Sequence, residues 1–419
     1  MKLRICAICA LFALSFSAFA TENFYLKNGD RVVFYGDSIT DQRLYTIITE
    51  TYVATRYPNL DVSFVHSGWG GDRVSGGAGG PIDLRLQRDV LSYKPTVMTI
   101  MLGMNDGSYK PETEANDKTF FDGYRHLVES VRSAIPQIRI TAIQPSPYDD
   151  ITRAPNFSGG YNEVLISFSK WINNYAKQNA LATADLNTGV NDMLRNADRL
   201  DPVEAQKIIP DRVHPGFAGH LIMAEQLLKA WNARPEVTDL SIDASGSSPK
   251  VKSAAHATVT DLSNTNGLSW TELDDALPLP FHNWDDAAVA LVVRSSNVAQ
   301  DLNDEALRVT GLKSGVYSLK IDGTTVGTFN NDELKSGINL ALLDTPMSEQ
   351  AKEVYDLTVS HCDVHNSRWR TVQVPLAKYD LPEAQPAMQA ADALETAILQ
   401  KRRETAKPKP HKFELVAVS

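Results

Sequence analysis

The sequence predicts an α/β protein with a parallel central sheet and helices on both of its faces, followed by a C-terminal addition of a different kind. Two observations carry this prediction. Between residues 23 and about 234, short apolar runs alternate with helical stretches, and this alternation is typical of a parallel sheet. Beyond residue 234 the pattern changes to apolar–polar alternation and then to long helices.

The predicted strands of the first part are mostly apolar, as expected for strands buried on both faces. They span 31–35, 62–65, 97–102, 139–143 and 182–186. The predicted helices include 119–135, 161–178 and 221–231. Because ligands of such sheets bind at the carboxyl ends of the strands, polar residues directly after each strand are the first candidates for a functional site.

Beyond residue 234 the pattern predicts a small antiparallel β unit and two long helices. The β unit is predicted from apolar–polar alternation and from the hairpin turn Asp322-Gly323. Its strands span 307–312, 316–321 and 325–329. The helices and a closing strand span 347–365, 387–401 and 413–418.

A serine lies where the first predicted strand ends, in residues 34–41 (FYGDSITD). Helical spacing of Tyr45, Ile48 and Tyr52 places Ser38 near a helix start, where free backbone N–H groups and the helix dipole favour negative charge. A serine in such a turn can act as a nucleophile. Asp and Ser are also ordinary turn and N-cap residues, so this segment alone is a weak signal.

Three further polar segments follow in a fixed order. They are 66–73 (HSGWGGDR) and 103–107 (GMNDG), each after a predicted strand, and 211–215 (DRVHP). Each has a structural alternative: a flexible glycine loop, a turn, and a helix cap at Asp211. Their joint occurrence in order favours a functional site over these alternatives.

With these four blocks the chain resembles the SGNH/GDSL hydrolase family over residues 23–234, as a carbohydrate-esterase-like member. The resemblance implies a three-layer, flavodoxin-like fold. It also implies that Ser38 is the nucleophile, His214 its base and Asp211 the residue that orients His214. These residue types suit acyl transfer, because a serine hydroxyl needs a base and imidazole has the pKa nearest to working pH.

The resemblance further implies an oxyanion hole, formed by the backbone N–H groups of Ser38 and Gly71 and by the side-chain amide of Asn105. Donors aimed at a tetrahedral oxyanion are worth about 10²–10³ in rate each. The chain departs from the family pattern at His66, where many members carry Asn at the end of the second strand. The carboxylates Asp37, Asp72 and Asp106 are interpreted as loop-organising groups.

His220 is the rival base, but it lacks an Asp three residues earlier and runs into an apolar helix, so we interpret it as a packed residue. No His or Cys cluster along the chain has metal-ligand spacing, and the sequence predicts neither a metal nor a cofactor. Three aromatic residues on loops after strands are predicted to shape the substrate pocket: Trp69, Tyr109 and Tyr148.

The added half could bind carbohydrate, contribute a wall to the active site, or stabilise the fold. Trp270 and Trp284 are conceivable sugar platforms, although core packing is the favoured role of both. The sequence does not predict the oligomeric state.

The N-terminus predicts export to the periplasm or the outside of the cell. Lys2 and Arg4 precede an apolar stretch, 5–19, that ends in the cleavage pattern Ala18-Phe19-Ala20. The stretch is shorter than the ~20 residues that span a bilayer, and no later one is long enough, so no membrane span is predicted. A net charge of −10 disfavours nucleic acid as the main partner.

The predicted organisation is a signal peptide at 1–20, a catalytic domain at 23–234, a connector and β-rich addition at 235–345, and a helical region with a terminal strand at 346–419. The predicted function is a secreted serine esterase that acts on acetyl or other short acyl esters of carbohydrates. One alternative is a lysophospholipase or thioesterase for longer acyl chains. Another is a noncatalytic carbohydrate- or envelope-binding protein on a hydrolase scaffold.

Overall fold

The structure is a computed structural model that describes residues 24–265, 267–281, 286–379 and 381–418. The predicted signal peptide and Trp284 lie outside these ranges. None of the helices in the described ranges combines the length and the apolar character that a membrane crossing requires.

A parallel five-stranded sheet forms the middle of the first half, which confirms the predicted fold class. In chain order, the strands of the first half are β1 (Arg31–Gly36), β2 (Ser63–Gly68), β3 (Gly76–Gly77), β4 (Gly80–Pro81), β5 (Val97–Met101), β6 (Arg139–Ile143) and β7 (Ala182–Ala184). Strands β3 and β4 form a short separate ladder, and the other five form the sheet. Within the sheet the order is β2-β1-β5-β6-β7. The winding direction therefore reverses between β1 and β5, and the crevice at such a reversal is where doubly wound sheets bind ligands.

Helices cover this sheet in two groups. They are α1 (Ser38–Asp41), α2 (Leu44–Arg56), α3 (Ile82–Asp89), α4 (Glu114–Ala134), α5 (Tyr161–Gln178), α6 (Leu186–Leu200), α7 (Pro202–Ala205) and α8 (Phe217–Ala230). Helices α2, α6 and α8 pack together, and so do α3, α4 and α5. The helix predicted from residue 119 starts earlier because Thr113 caps it, accepting a hydrogen bond from the backbone of Asn116.

The second half contains two sheets. Its β region is therefore larger than the small antiparallel unit that the sequence predicted. Its strands are β8 (Glu236–Asp243), β9 (Lys250–Ala255), β10 (Ala257–Ser263), β11 (Leu268–Asp274), β12 (Asp304–Thr310), β13 (Val316–Ile321), β14 (Thr324–Asn330), β15 (Ile338–Asn339) and β16 (His411–Ala417). The sheet orders are β10-β11-β16-β13-β14 and β15-β12-β8-β9. Both sheets contribute to one apolar core, in which Trp270 stacks on Phe413 at 5.1 Å. Trp270 is therefore a core residue and not a sugar platform.

Several of the remaining helices pack on the first half. In chain order, the remaining helices are α9 (Ala287–Ser295), α10 (Val298–Leu302), α11 (Asn331–Ser336), α12 (Pro346–Asn366), α13 (Val374–Leu376) and α14 (Ala384–Thr405). Helices α9 and α10 pack on α8, although they belong to the segment predicted as a β-rich addition, and α12 packs on α2 and on the edge strand β2. The division of the chain at residue 234 stays a prediction.

A buried ion pair joins the C-terminal helices to the first half. Glu50 on α2 binds the guanidinium of Arg402 on α14 and lies 2.9 Å from His66 on β2. Burial alone would raise the pKa of Glu50, but the charge of Arg402 and the hydrogen bond to His66 bring it down to about 2. The carboxylate is therefore ionised at neutral pH and compensates the charge of Arg402.

Glu50→Gln should lower the free energy of unfolding by about 3 kcal/mol at pH 7, because it leaves the buried Arg402 without its counter-charge. The folded pKa of Glu50 lies below its ordinary value of 4.5, so its contribution is present above pH 4.5 and disappears as pH falls toward 2. Urea unfolding of the wild type and of Glu50→Gln between pH 7 and low pH should show that the difference in their free energies of unfolding shrinks as the pH falls. The control is Asp61→Asn, which removes the surface partner of Arg403 and should cost under about 1 kcal/mol. Equal effects of the two variants at pH 7 would contradict the prediction.

Candidate active site

The turn after β1 presents Ser38 at the carboxyl edge of the sheet. Asp37 is the N-cap of the short helix α1 and accepts a hydrogen bond from the backbone N–H of Ile39 at 3.0 Å. The long helix predicted directly after Ser38 begins only at Leu44, and the two helices are separated by Arg43 in a left-handed conformation. Ser38 is half-buried, so its hydroxyl is held by the turn and still faces solvent.

The structure brings Ser38, His214 and Asp211 into one hydrogen-bonded chain. The Nε2 atom of His214 lies 2.8 Å from Ser38 Oγ, and its Nδ1 atom lies 2.7 Å from Asp211 Oδ2. Asp211 also accepts hydrogen bonds from the backbone N–H groups of Val213 and His214, which fixes the turn. Partial burial would raise the pKa of Asp211, but the backbone and ring hydrogen bonds of His214 hold that pKa below its ordinary value. This arrangement can transfer a proton from the serine to the imidazole.

His220 lies in a different environment. Its Nδ1 atom accepts a hydrogen bond from the backbone N–H of Tyr45 at 3.2 Å, so Nε2 carries the proton and donates to Gln42 Oε1 at 3.1 Å. The ring is fully buried and stacks on Tyr45. Burial lowers the pKa of His220 to about 3. Its contacts are those of a neutral packed residue.

The loop after β2 lies against the serine turn. A Cβ atom at Gly68 would approach the backbone N of Asp41 to 2.2 Å, so only glycine permits this contact. Gly71 has φ +78°, a conformation that favours glycine. Within the described part of the chain, the Gly71 N–H donates to no protein acceptor, whereas the Gly70 N–H donates to Asp41 Oδ2 at 3.1 Å. The Gly71 N–H is therefore available as a donor.

Asn105 follows β5 and contacts the same loop. Its Nδ2 atom donates to the carbonyl of Asp72 at 3.0 Å, and its Oδ1 atom accepts from the hydroxyl of Tyr109 at 3.0 Å. An amide nitrogen carries two hydrogens, so one donor of Asn105 is left after the bond to Asp72. The hydrogen bond from Tyr109 fixes which end of the amide is the nitrogen.

Three buried carboxylates organise these loops: Asp37 caps its own turn, and Asp106 and Asp72 each bind a neighbouring segment. Asp106 accepts from the backbone N–H of Val74 at 3.0 Å, and Asp72 accepts from Arg85 Nε at 2.7 Å. Burial raises the pKa of Asp37 and of Asp106 to about 7 each, and it also raises the pKa of Asp72. None of the three lies in the hydrogen-bonded chain of Ser38 and His214, in keeping with a loop-organising role.

The cleft beside Ser38 has a volume of about 480 Å³ and is open to solvent. All of its lining residues are polar: Ser38, Asp41, Gln42, Arg43, His214, Asn366 and Arg370. Asn366 and Arg370 come from the end of α12 and the π-helical turn that follows it, Ser367–Gln373. The second half therefore contributes a wall to the cleft. These two residues were not predicted from the sequence. The local signal that could have indicated them is the cluster Arg368-Trp369-Arg370, in a stretch for which no strand or helix was predicted.

The aromatic residues predicted to shape the pocket are not among those lining this cleft. Trp69 is covered by the guanidinium of Arg370, whose carbon lies 3.6 Å from the Trp69 ring centroid. Tyr148 is buried against Tyr161, and Tyr109 is exposed but lies beside Asn105. Tyr109 remains the one of the three that a larger substrate could contact.

One buried group of metal-ligand types lies away from the cleft. Glu50, His66 and Cys362 have ligand atoms within 4.8 Å of one another, a proximity that their spacing along the chain did not reveal. Glu50 already binds Arg402 and His66, and His66 Nδ1 lies 2.8 Å from the hydroxyl of Thr46. These contacts also account for His66 in the second block, where it joins α2 to β2. That the protein needs no metal stays a prediction.

The chain is similar to known proteins over its first half and, in fold, over nearly its full length. Residues 34–222 match the model of the GDSL-like Lipase/Acylhydrolase family. An acetylxylan esterase of Geobacillus stearothermophilus is 24% identical over 226 residues, which cover 49% of this chain and 94% of that protein. The solved structure of a gut microbial diltiazem-metabolizing enzyme matches with a TM-score of 0.81 at 24% identity, covering 94% of this chain and 98% of that chain. The fold of both halves therefore occurs in a solved structure. The chain carries a GDSL-like lipase/acylhydrolase domain, a kind of domain that hydrolyses acyl esters.

Proposed function

We propose that the protein is an exported serine esterase that removes acetyl or other short acyl groups from carbohydrates. The observation that carries the proposal is the hydrogen-bonded chain from Ser38 Oγ through His214 to Asp211. In a noncatalytic binding protein on the same scaffold, nothing would require these three groups to keep this alignment.

In the proposed mechanism, Ser38 Oγ attacks the ester carbonyl while His214 Nε2 takes the hydroxyl proton. The resulting imidazolium is stabilised by the negative charge of Asp211, which accepts a hydrogen bond from the Nδ1–H group and stays ionised. His214 then gives its proton to the departing alcohol, leaving an acyl group on Ser38. Water, activated by the same nitrogen, cleaves this acyl-enzyme and restores the serine.

The tetrahedral oxyanion of each step would be bound by the N–H groups of Ser38 and Gly71 and by Asn105 Nδ2. Gly71 and Asn105 each keep a donor that is not used within the described residues. Donors already in place need no reorganisation during reaction, which is the source of their effect on rate.

A short acyl group on a polar carrier suits the cleft better than a long acyl chain. A fatty acyl chain needs apolar surface, and the residues lining the cleft are all polar. Arg43 and Asn366 can hydrogen-bond sugar hydroxyls. The relative named as an acetylxylan esterase supports an acetylated carbohydrate as the substrate class. Export is proposed from the N-terminal residues, and sequencing of the mature N-terminus from the producing cell tests it.

A panel of esters tests the proposed substrate. The mature protein should hydrolyse p-nitrophenyl acetate and butyrate and release acetate from acetylated xylan, with little activity on p-nitrophenyl palmitate or lysophospholipid. Preference for palmitate or lysophospholipid would support the long-chain alternative. Absence of turnover on all of these esters would contradict the proposal.

Asn105→Ala should lower kcat by about 10²-fold with little change in KM, because the amide is proposed to bind charge that exists only in the transition state. Initial rates on p-nitrophenyl acetate measure both constants. The control is Asn116→Ala, which changes an amide on the surface of α4 and should leave both constants unchanged. A raised KM with a normal kcat would assign Asn105 to uniform substrate binding.

A further inference from the structure

The π-helical turn of the second half makes specific contacts with the loop that carries Gly71. This turn, Ser367–Gln373, continues directly from α12. A π-helical turn shifts the direction of its side chains, and such turns are frequent at functional sites. Here it directs two consecutive residues, Trp369 and Arg370, toward the glycine loop.

Arg370 contacts two successive residues directly, Gly68 and Trp69, and reaches a third, Gly70, through Asp41. Its NH1 atom lies 3.5 Å from the carbonyl of Gly68, and its guanidinium lies over the ring of Trp69. The same NH1 atom binds Asp41 at 3.2 and 3.4 Å, and Asp41 accepts the N–H of Gly70. The three loop residues before Gly71 are thus held directly or through one carboxylate.

Trp369 holds the loop from the side. It is 1% exposed, packs edge-to-face on Trp69 at 5.4 Å, and donates its indole N–H to Asp89 at 2.6 Å. Asp89 also binds Arg85, which holds Asp72 on the far side of Gly71. The loop is therefore fixed on both sides of Gly71, and residues of the second half supply one of the two supports.

Arg370 also changes the electrostatics of the cleft. Asp41 lines the same cleft as Ser38, and a free carboxylate there would oppose the formation of an oxyanion. Pairing with Arg370 places a positive charge 3.2 Å from this carboxylate and offsets its repulsion of the oxyanion. Arg370 thus has two connected effects, one on the geometry of the loop and one on the charge of Asp41.

We infer that Arg370, supported by Trp369, is a positioning residue for the oxyanion site, so that the second half completes the active centre of the first. The inference rests on the proposed function. It assigns to Arg370 an effect on kcat that is exerted through Asp41 and the glycine loop and not through contact with the reacting ester.

The test compares kcat and KM of Arg370→Ala and Arg368→Ala on p-nitrophenyl acetate. Arg370→Ala should lower kcat by about tenfold to 10²-fold with KM changed by less than about twofold. Arg368 lies in the same turn but pairs with Asp392 at 2.6 Å, away from the loop, so Arg368→Ala should leave both constants unchanged. Unchanged kcat in Arg370→Ala, or a raised KM alone, would overturn the inference.

A double-mutant cycle with Asp41→Asn separates positioning from general stability. Asn at 41 keeps an acceptor for the Gly70 N–H but carries no charge, so Arg370→Ala should reduce kcat less in this background than in the wild type. Equal reductions in both backgrounds would overturn the proposed route through Asp41. If Arg370→Ala does not fold, Arg370→Gln gives the same comparison, because glutamine removes the charge that pairs with Asp41 and keeps a long polar side chain.

The wild-type measurement distinguishes the two possible failures. If the wild type hydrolyses p-nitrophenyl acetate and Arg370→Ala does so equally well, the positioning role fails and the proposed function stands. If the wild type hydrolyses no ester, the proposed function fails, and with it the oxyanion site that Arg370 is inferred to position.

Discussion

Ser38→Ala should abolish ester hydrolysis while leaving the fold intact. The hydroxyl is the group proposed to form the acyl-enzyme, and alanine fits the first position of α1 without disturbing the cap made by Asp37. Loss of a nucleophile that acts with its base is expected to cost on the order of 10⁶ in kcat. Release of p-nitrophenol, followed over hours, covers this range.

Two controls make the result specific to the nucleophile. Circular dichroism and thermal unfolding should match those of the wild type, and the variant should lose labelling by a fluorophosphonate that reacts with activated serines. Ser167→Ala, which changes an exposed hydroxyl on α5, should keep both activity and labelling. Wild-type turnover in a folded Ser38→Ala protein would exclude the proposed mechanism.

His214→Ala should reduce kcat nearly as much as Ser38→Ala, because without its base the serine remains protonated and the departing alcohol receives no proton. Asp211→Asn should be comparable or milder. An asparagine amide at this position carries no charge and can donate its N–H to Nδ1, which favours the wrong tautomer of His214.

The matched change is His220→Gln, which keeps a polar side chain beside Tyr45 and Gln42. Its main effect should be on the temperature of thermal unfolding and not on kcat, because the buried ring of His220 packs on Tyr45. The pair of variants discriminates between the two candidate bases. Severe loss of kcat in folded His220→Gln, together with activity in His214→Ala, would reverse the assignment.

The sequence could predict the parts of the fold that follow from local pattern. Strand β6 and helix α5 have the bounds that apolar periodicity gave them, and the four polar blocks fall at the edge of the sheet because each follows a predicted strand or lies just before α8. The proximity of Ser38 and His214 was implied by the family resemblance. No local pattern could give it, since 176 residues separate the two.

A wall supplied by the added half was one of three roles that the sequence left open, but the residues that form it could not be predicted, for a physical reason. Arg370 contacts Asp41 across 329 positions, and the contact depends on a π-helical turn that leaves no periodic signature. Trp69 was predicted as a pocket residue because of its position beside the glycine loop. It does lie there, but Arg370 covers the face of its ring. The size of the β region was underestimated. Strands β9 and β10 bury few side chains, so little apolar–polar alternation marks them, whereas β8 and β11 do alternate and were not predicted.

The position of β16 constrains how the molecule assembles. This strand lies in the middle of its sheet, where Phe413 pairs with Trp270 on one side and with Ile321 on the other. Contacts between residues so distant in sequence form slowly, whereas the parallel sheet joins strands that lie closer along the chain. Helix α14, whose Arg402 binds Glu50, directly precedes β16 and packs on the turn that carries Arg370. A refolding chain should therefore recover its parallel sheet first and its full turnover later.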